Sequence, residues 1–305
     1  MLTWSFGTGV PAWAFLLSCA AGRGVHDARG FTMQIEKPRI AVIACSVLME
    51  EVECFARGLP HVAQIVYLPQ MLHNEPMRLR RELQAAVSAC EADAAVDVIA
   101  LAYGLCSRGV EGLRHARCPI VIARAHDCVT LYLGSKERYA DYLKRHPGTY
   151  WYSPGWIREK APPGPERTAA LREKYAAQFE PDDVEYLLEQ EKLWMANYSR
   201  AAYVGLGPEA GEQAQQAEYT RHCAACLGWD FEHVRGDASL MRDLFLGGPG
   251  GAGESNGKGG ASGNSGAHGG GGWWDAERFL VVPPGHGIEL VPDESVIKTV
   301  PLGEQ

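Results

Sequence analysis

Three cysteines of this chain each follow a short apolar run. Cys45 ends the run "RIAVIAC", Cys106 comes shortly after "VDVIALA", and Cys128 comes shortly after "PIVIARA". If these runs are neighbouring parallel strands, their carboxyl ends meet at one edge of the sheet, where open α/β sheets bind ligands. Three thiolates at one place are ligands for zinc or for an iron–sulfur cluster. The spacing therefore predicts a metal site formed by Cys45, Cys106 and Cys128.

Polar residues just before Cys128 could take part in this chemistry. His126 could be a fourth ligand, which completes a structural zinc site, or it could carry a proton in catalysis. If no imidazole binds, the three thiolates leave the fourth coordination position of the metal open, as in a catalytic zinc site. Asp127 would accept a hydrogen bond beside the ligands. Arg124 is the other catalytic candidate, because a guanidinium stabilises a thiolate or a bound anion.

The segment "YGLCSRG" around Cys106 contains candidates for binding a cofactor. Arg108 could stabilise a thiolate or hold an anionic group. Gly104 and Gly109 lack a side chain, so the backbone there can approach a ligand closely. We expect Gly104, Arg108 and Gly109 to bind the cofactor.

The elements that must position these residues alternate between apolar runs and amphipathic segments. This alternation is typical of an α/β fold with a mostly parallel sheet and helices on both faces. Later runs, such as "GTYWYS", "AAYVGLG" and "RFLVVPPG", either extend the sheet or form a second lobe. The first helix, "LMEEVECFARG", ends at Gly58, and Glu51 and Glu53 are expected on its solvated face.

Two segments lie outside this pattern. Residues 1–32 form a doubtful leader: "VPAWAFLLSCAAG" has the length of a signal-peptide apolar region, but no Lys or Arg precedes it. The simpler interpretation is that the protein begins at Met33, so that the α/β domain covers residues 33–305. Residues 247–272 are more than half glycine and predict a flexible insertion within that domain.

Composition excludes several classes of function. The net charge of −8 leaves no basic face for nucleic acid. The body of the chain has no apolar run of about 18 residues, so a membrane span is not expected. The nine cysteines lie inside apolar segments, which does not fit a secreted disulfide framework and favours the cytoplasm. Those away from the strand ends are expected to be buried packing residues, including Cys118; the helical pair in "HCAAC" is only a weak redox or metal motif.

Several long motifs resemble those of a bacterial and archaeal family, domain-of-unknown-function family 1638. They are "YGLCSRGVEGL", "RAHDCVTLYLGSKERY", "PGTYWYSPGW" and "FLVVPPG", and the similarity runs from about Arg39 to Ile297. The resemblance implies a shared fold and a shared site at Cys45, Cys106 and Cys128. It also implies a link between relatives and corrinoid methyltransferase systems. It does not imply a particular reaction.

Two functions from different classes remain open. The first is a cytoplasmic protein that handles a metal or cofactor, either zinc or an iron–sulfur cluster, in methyl transfer or redox metabolism. The second is a non-catalytic accessory module that binds a small molecule or a protein and in which the cysteines are structural. Metal analysis of protein purified without oxygen distinguishes the two.

Overall fold

The computed structural model describes residues 25–26, 32–33, 37–159, 162–207, 210–247, 273–293 and 295–302. The chain divides into two compact units, Met1–Lys37 and Pro38–Gln305. In the first unit, two short strands pair antiparallel, β1 (Val25–His26) and β2 (Thr32–Met33). Most of the predicted leader, and the predicted glycine-rich insertion except Gly247, lie outside the described residues.

The main sheet of the second unit has five strands in the order β10-β6-β5-β3-β4. Four of them are parallel, and β10 pairs antiparallel with β6. The strands are β3 (Ile40–Cys45), β4 (Val62–Leu68), β5 (Val98–Ala102), β6 (Ile120–Ala123) and β10 (Phe279–Val282). Every residue of β3, β5 and β6 is buried, which explains why these strands appear in the sequence as unbroken apolar runs.

The strand order places a crevice at the carboxyl ends of β3 and β5. The chain leaves β3 toward β4 on one side and then crosses to β5 on the other side. At such a switch in direction the connections diverge, and the space between them is the usual ligand site of an open α/β sheet. Cys45 ends β3 and Cys106 follows β5, so both cysteines border this crevice.

Helices cover both faces of the main sheet, as the sequence predicts. The helix α2 packs on β3 and β4, whereas α9 packs on β5 and β6 and also contacts α1. Right-handed crossovers place α1 and α2 on opposite faces. The helices of the second unit are α1 (Met49–Phe55), α2 (Pro76–Ala92), α3 (Cys128–Leu133), α4 (Lys136–Arg145), α5 (Pro154–Glu159), α6 (Pro165–Ala176), α7 (Pro181–Met195), α8 (Glu212–Leu227) and α9 (Ser239–Leu246).

A second, smaller sheet consists of three parallel strands in the order β7-β8-β9. They are β7 (Thr149–Tyr152), β8 (Arg200–Gly205) and β9 (Asp230–Arg235), and α8 packs on β8 and β9. Ala202 and Val204 of β8 join the same apolar core as the main sheet. The later strands therefore form a separate sheet inside the same compact unit. A hairpin of β11 (His286–Leu290) and β12 (Ile297–Pro301) follows β10.

One predicted helix is two helices in the structure. The segment "TLYLGSKERYADYLKRH" breaks at Gly134, which has a φ of 79° and ends α3. Ser135 then begins α4, and its side chain accepts a hydrogen bond from the backbone N–H of Arg138.

None of the described helices is both long enough and apolar enough to cross a membrane.

Candidate functional site

Three thiols lie together at the carboxyl edge of the main sheet. Cys45 is the last residue of β3, Cys106 lies in the loop after β5, and Cys128 is the first residue of α3. The Sγ atoms of Cys106 and Cys128 are 3.9 Å apart. Cys45 is near enough to Cys128 for the two to influence each other's ionisation, which raises the pKa of Cys45. The parallel strands of one sheet therefore place Cys45 and Cys128 at the same edge, although they lie more than 80 positions apart in the sequence.

The loop that presents Cys106 has an uncommon backbone. Cys106 and Arg108 have φ angles of 43° and 68°, in the left-handed region that residues other than glycine rarely adopt. Both belong to the short 3₁₀ helix Cys106–Arg108. Such conformations persist only when the surrounding structure holds them, and they are concentrated at functional sites.

The loops after β5 and β6 approach each other closely at Gly104. A Cβ at Gly104 would lie 2.4 Å from the Cα of Asp127, so no larger residue fits. The close approach brings the backbone of Gly104 near Cys128, where it helps to lower the pKa of that thiol. Gly104 thus brings two loops together, whereas the sequence suggested only a close approach to a cofactor.

Asp127 caps the helix that begins at Cys128. Its Oδ1 accepts hydrogen bonds from the backbone N–H groups of Val129 and Thr130 at 2.9 and 3.2 Å. Its Oδ2 accepts from the Tyr139 hydroxyl at 2.5 Å. Burial raises the pKa of Asp127, and these hydrogen bonds partly offset that effect. The carboxylate fixes the position of Cys128 through the backbone, which corrects the expectation that it accepts from a metal ligand.

The three thiols differ in how readily they lose a proton. Hydrogen bonds from Cys106 and Cys45 lower the pKa of Cys128, and the N–H of Gly104 acts in the same direction against the effect of burial. The hydrogen bonds to Cys128, together with burial, raise the pKa of Cys45 and of Cys106. The cluster therefore favours one thiolate, at Cys128, held by two neutral thiols.

Two buried polar side chains border the thiols without full hydrogen bonding. Tyr103 is 1% exposed, and no group accepts from its hydroxyl. Burial and the nearby Cys45, Cys106 and Cys128 raise the pKa of Tyr103. Gln70 is 2% exposed, and its Oε1 has no donor. The sequence analysis missed both, although each follows a strand of the main sheet, β5 and β4, within two residues.

The segment that contains Gln70 is fixed to the rest of the site. The backbone N–H of Gln70 donates to the Oγ of Ser46 at 3.0 Å, and Ser46 directly follows Cys45. The Nε2 of Gln70 lies 3.3 Å from Nδ1 of His73, whose ring stacks on Trp156. The 3₁₀ helix Gln70–Asn74 contacts the one that begins at Cys106. Four successive strand-end segments therefore surround the thiols.

The structure places two of the predicted catalytic and ligand residues elsewhere. His126 is exposed and its ring stacks on Tyr139, with ring centroids 6.1 Å apart. Arg124 donates through its guanidinium to the backbone carbonyls of Ala276, Ser295 and Ile297. Arg124 therefore ties β6 to the C-terminal hairpin, which corrects its expected role beside the thiols.

The two other predicted cofactor-binding residues have structural partners. The Arg108 guanidinium forms an exposed ion pair with Glu111, with Nε 2.8 Å from Oε2. A Cβ at Gly109 would lie 2.4 Å from the Cδ2 of Leu79. Glycine is thus required at position 109 because the loop packs tightly on α2, and not because a ligand approaches there.

Glu51 of α1 is buried, contrary to the expected solvated helix face. Its side chain is on the core side of α1 with 5% exposure, and its Oε2 has no hydrogen-bond partner. Burial raises the pKa of Glu51 to about 7; Glu50 adds to the rise, whereas Tyr132 and Arg158 oppose it. No signal in the sequence indicates this burial, because "LMEEVECF" places three acidic residues within one short helix.

In the part of the chain that the structure describes, no group of three or more His, Cys, Asp or Glu side chains is arranged to hold a metal ion. The Cys106 and Cys128 thiols are hydrogen-bonded to each other. Binding of an ion by all three cysteines would need rotation of at least one cysteine side chain, together with loss of the thiol protons.

Comparison with known proteins identifies the family. Residues 67–245 match the family model described as "Protein of unknown function (DUF1638)". The chain belongs to this family. The matched region holds Cys106 and Cys128 and ends within α9, and Cys45 precedes it. No curated protein and no solved structure matches the chain.

Proposed function

We propose that this DUF1638 protein binds one soft metal ion, with zinc the best fit, through Cys45, Cys106 and Cys128. The observation that carries the proposal is the 3.9 Å separation of the Cys106 and Cys128 sulfurs. Two thiolates on one tetrahedral zinc, with bonds of about 2.3 Å, lie about 3.8 Å apart. Two of the three sulfurs are therefore already at the spacing that shared ligation needs.

The electrostatics of the cluster support a cation. Three thiols beside one another in a shielded site cannot all ionise, which is why the pKa of Cys45 and of Cys106 is raised while that of Cys128 is lowered. The guanidinium groups of Arg108 and Arg124, which were expected near the thiols, pair elsewhere. A divalent ion that replaces the shared protons would allow all three thiolates to form.

The same distance favours a single ion over a [4Fe–4S] cluster. In that cluster each cysteine ligates its own iron, so the cysteine sulfurs lie farther apart than two ligands of one ion. A cluster would need wider movement of Cys106 and Cys128 than a single ion does. Redox metabolism is accordingly the second choice for this site.

Three protein thiolates leave one coordination position of zinc for a ligand, which the ion would activate as a Lewis acid. A soft ion favours a sulfur ligand, so a small thiol is the proposed substrate. A thiolate ligand would take a methyl cation from a methylcorrinoid donor, and the donor cobalt would keep the electron pair of the cobalt–carbon bond that breaks. Methyl transfer, with a corrinoid methyltransferase system as partner, is thus part of the proposal. The described cysteines are all free thiols, which supports a reducing compartment such as the cytoplasm.

Metal analysis of anaerobically purified protein, supplied with zinc during expression, tests the proposal. The wild type should carry about one equivalent of zinc, and Cys128→Ser should lose most of it because serine is a much poorer ligand for a soft ion. Cys118→Ser is the control: Cys118 is buried, and its Sγ donates to the Val96 carbonyl at the opposite edge of the sheet. It should retain full zinc.

A wild-type protein without metal under these conditions would contradict the proposal. Equal zinc in Cys128→Ser and the wild type would contradict it as well, since the ion would then be held elsewhere. Either result would favour the non-catalytic binding module with structural cysteines.

A further inference from the structure

The sulfur atoms of Cys106 and Cys128 lie in direct contact. Their Sγ atoms are 3.9 Å apart and are joined by a hydrogen bond. The two sulfurs of a disulfide are about 2.05 Å apart, so a bond between these two would need an approach of about 2 Å. Rotation of a cysteine side chain between its staggered positions moves the sulfur by at least that much. Side-chain rotation alone can therefore bring the two atoms to bonding distance.

The loops that carry the two cysteines are already held together by their backbones. The N–H of Leu105 donates to the carbonyl of Ala125 at 3.2 Å. A Cβ at Gly104 would lie only 2.4 Å from the Cα of Asp127. Each cysteine directly follows a residue that makes one of these contacts. A bond between them would therefore close with little further loss of chain entropy, since the fold has already brought the two loops together.

Exposure distinguishes this pair from the third thiol of the site. Cys106 and Cys128 are partly exposed, so a small reagent from solution can reach them. Cys45 is buried, with 4% exposure. Oxidation of cysteines in proteins follows their accessibility and the presence of a second thiol nearby. Cys106 and Cys128 meet both conditions.

We propose that Cys106 and Cys128 form a dithiol that a small-molecule disulfide oxidises to an intramolecular disulfide. One cysteine loses its proton, and its sulfur attacks one sulfur of the reagent. The S–S bond of the reagent breaks, one half leaves as a thiolate and takes up a proton, and the other half remains on the protein as a mixed disulfide.

The second cysteine completes the exchange. It loses its proton and attacks the cysteine sulfur of the mixed disulfide, and the remaining half of the reagent leaves as a thiol. The protein loses two protons and two electrons, and the reagent is reduced to two thiols. Whichever sulfur reacts first, the other is 3.9 Å away, so the second step is intramolecular and does not depend on the reagent concentration.

The disulfide does not depend on the proposed metal. It needs only the two sulfur atoms and an external disulfide. Where the metal site forms, the disulfide would remove two of its three thiolates, so oxidation would also prevent binding of zinc. That consequence alone rests on the proposed function.

Peptide mapping of the folded full chain tests the proposal. The chain is reduced, freed of metal with a chelator and mixed with an excess of 2-hydroxyethyl disulfide, and its remaining free thiols are then alkylated. Trypsin places Cys106 in the peptide 82–108 and Cys128 in the peptide 125–136. In most wild-type chains these two peptides should be joined, with a mass two hydrogens below their sum and no reagent attached.

Serine variants separate formation of the pair from simple reaction with the reagent. Cys128→Ser should abolish the joined peptides and leave the reagent attached to Cys106. Cys45→Ser should keep the joined peptides, since the proposal does not use Cys45. Cys90→Ser is the control: Cys90 lies in the same peptide 82–108 but is fully buried in α2, so its removal should leave the link unchanged.

Three results for the wild type would overturn the proposal. They are reagent attached to the two cysteines without a link, free thiols at both after the exposed Cys226 has reacted fully, and a link from Cys45 to Cys128 in place of the proposed one. The wild-type map decides even if a serine variant does not fold. Because metal is removed before the reaction, none of these results bears on the zinc content of the untreated protein, which tests the proposed function separately.

Discussion

Replacing Glu51 by glutamine should change how the stability of the protein depends on pH. The pKa of this buried carboxyl is about 7 in the folded chain, against an ordinary value of 4.5. Below 4.5 the group is protonated in both the folded and the unfolded chain, and its ionisation costs nothing. As pH rises, the unfolded chain releases the proton first, so stability falls until the folded carboxyl also ionises near pH 7.

The size of this effect follows from the two pKa values. Between them the free energy of unfolding falls by about 1.4 kcal/mol per pH unit. Integrated from about pH 5 to about pH 8, the loss due to Glu51 is about 2.5 kcal/mol. Glutamine cannot ionise, so the variant lacks this loss. The free-energy cost of burying the glutamine amide at position 51 is the same at both pH values, so it cancels in the comparison.

The assay is urea unfolding of the wild type and Glu51→Gln at both ends of this range, with the same metal content. The stability difference between them should shift by about 2.5 kcal/mol in favour of the variant on going to the higher pH. Glu137→Gln is the control: it removes the same charge from an exposed helix position and should show a much smaller shift. Parallel pH profiles for the wild type and Glu51→Gln would refute the argument that burial raises this pKa.

Four further substitutions distinguish the thiol site from the framework around it. Gly104→Ala should destabilise the protein by about 3 kcal/mol and reduce its zinc, because the new Cβ forces the two loops apart; thermal unfolding and metal analysis check this. Asp127→Ala should cost about 1 to 2 kcal/mol through loss of the helix cap. Arg124→Ala should cost about 2 kcal/mol and His126→Ala little, and both should keep full zinc. Loss of zinc in His126→Ala would show that the imidazole is a ligand.

The sequence was sufficient to predict the main sheet and the position of the three cysteines at its carboxyl edge. Unbroken apolar runs indicate buried parallel strands, and parallel strands have their carboxyl ends at one edge, so Cys45, Cys106 and Cys128 could be grouped without coordinates. The position of Arg124 could not be predicted in this way. Its partners lie more than 150 residues later in the chain, in segments with no local relation to β6.

The positions of the polar residues near the cysteines depend on the strand order. Gln70 follows β4 and Tyr103 follows β5, and both lie near the end of β3 only because β4 and β5 flank that strand. Burial of Glu51 likewise depends on how α1 is rotated against the core, and one short helix with several acidic residues does not specify that rotation. For the same reason the sequence did not decide whether the later strands form a second sheet. Alternation of helices and strands predicts the strands but not the sheet to which each belongs.

The left-handed backbone of Cys106 has a consequence for engineering of the protein. Glycine adopts this conformation without steric cost, whereas another residue there costs about 1 to 3 kcal/mol. A screen that selects variants only for heat resistance would therefore favour glycine at position 106 and discard the thiol. The same change at Arg108 would relieve the backbone without touching the three cysteines. Libraries built to improve expression should hold position 106 fixed and vary position 108.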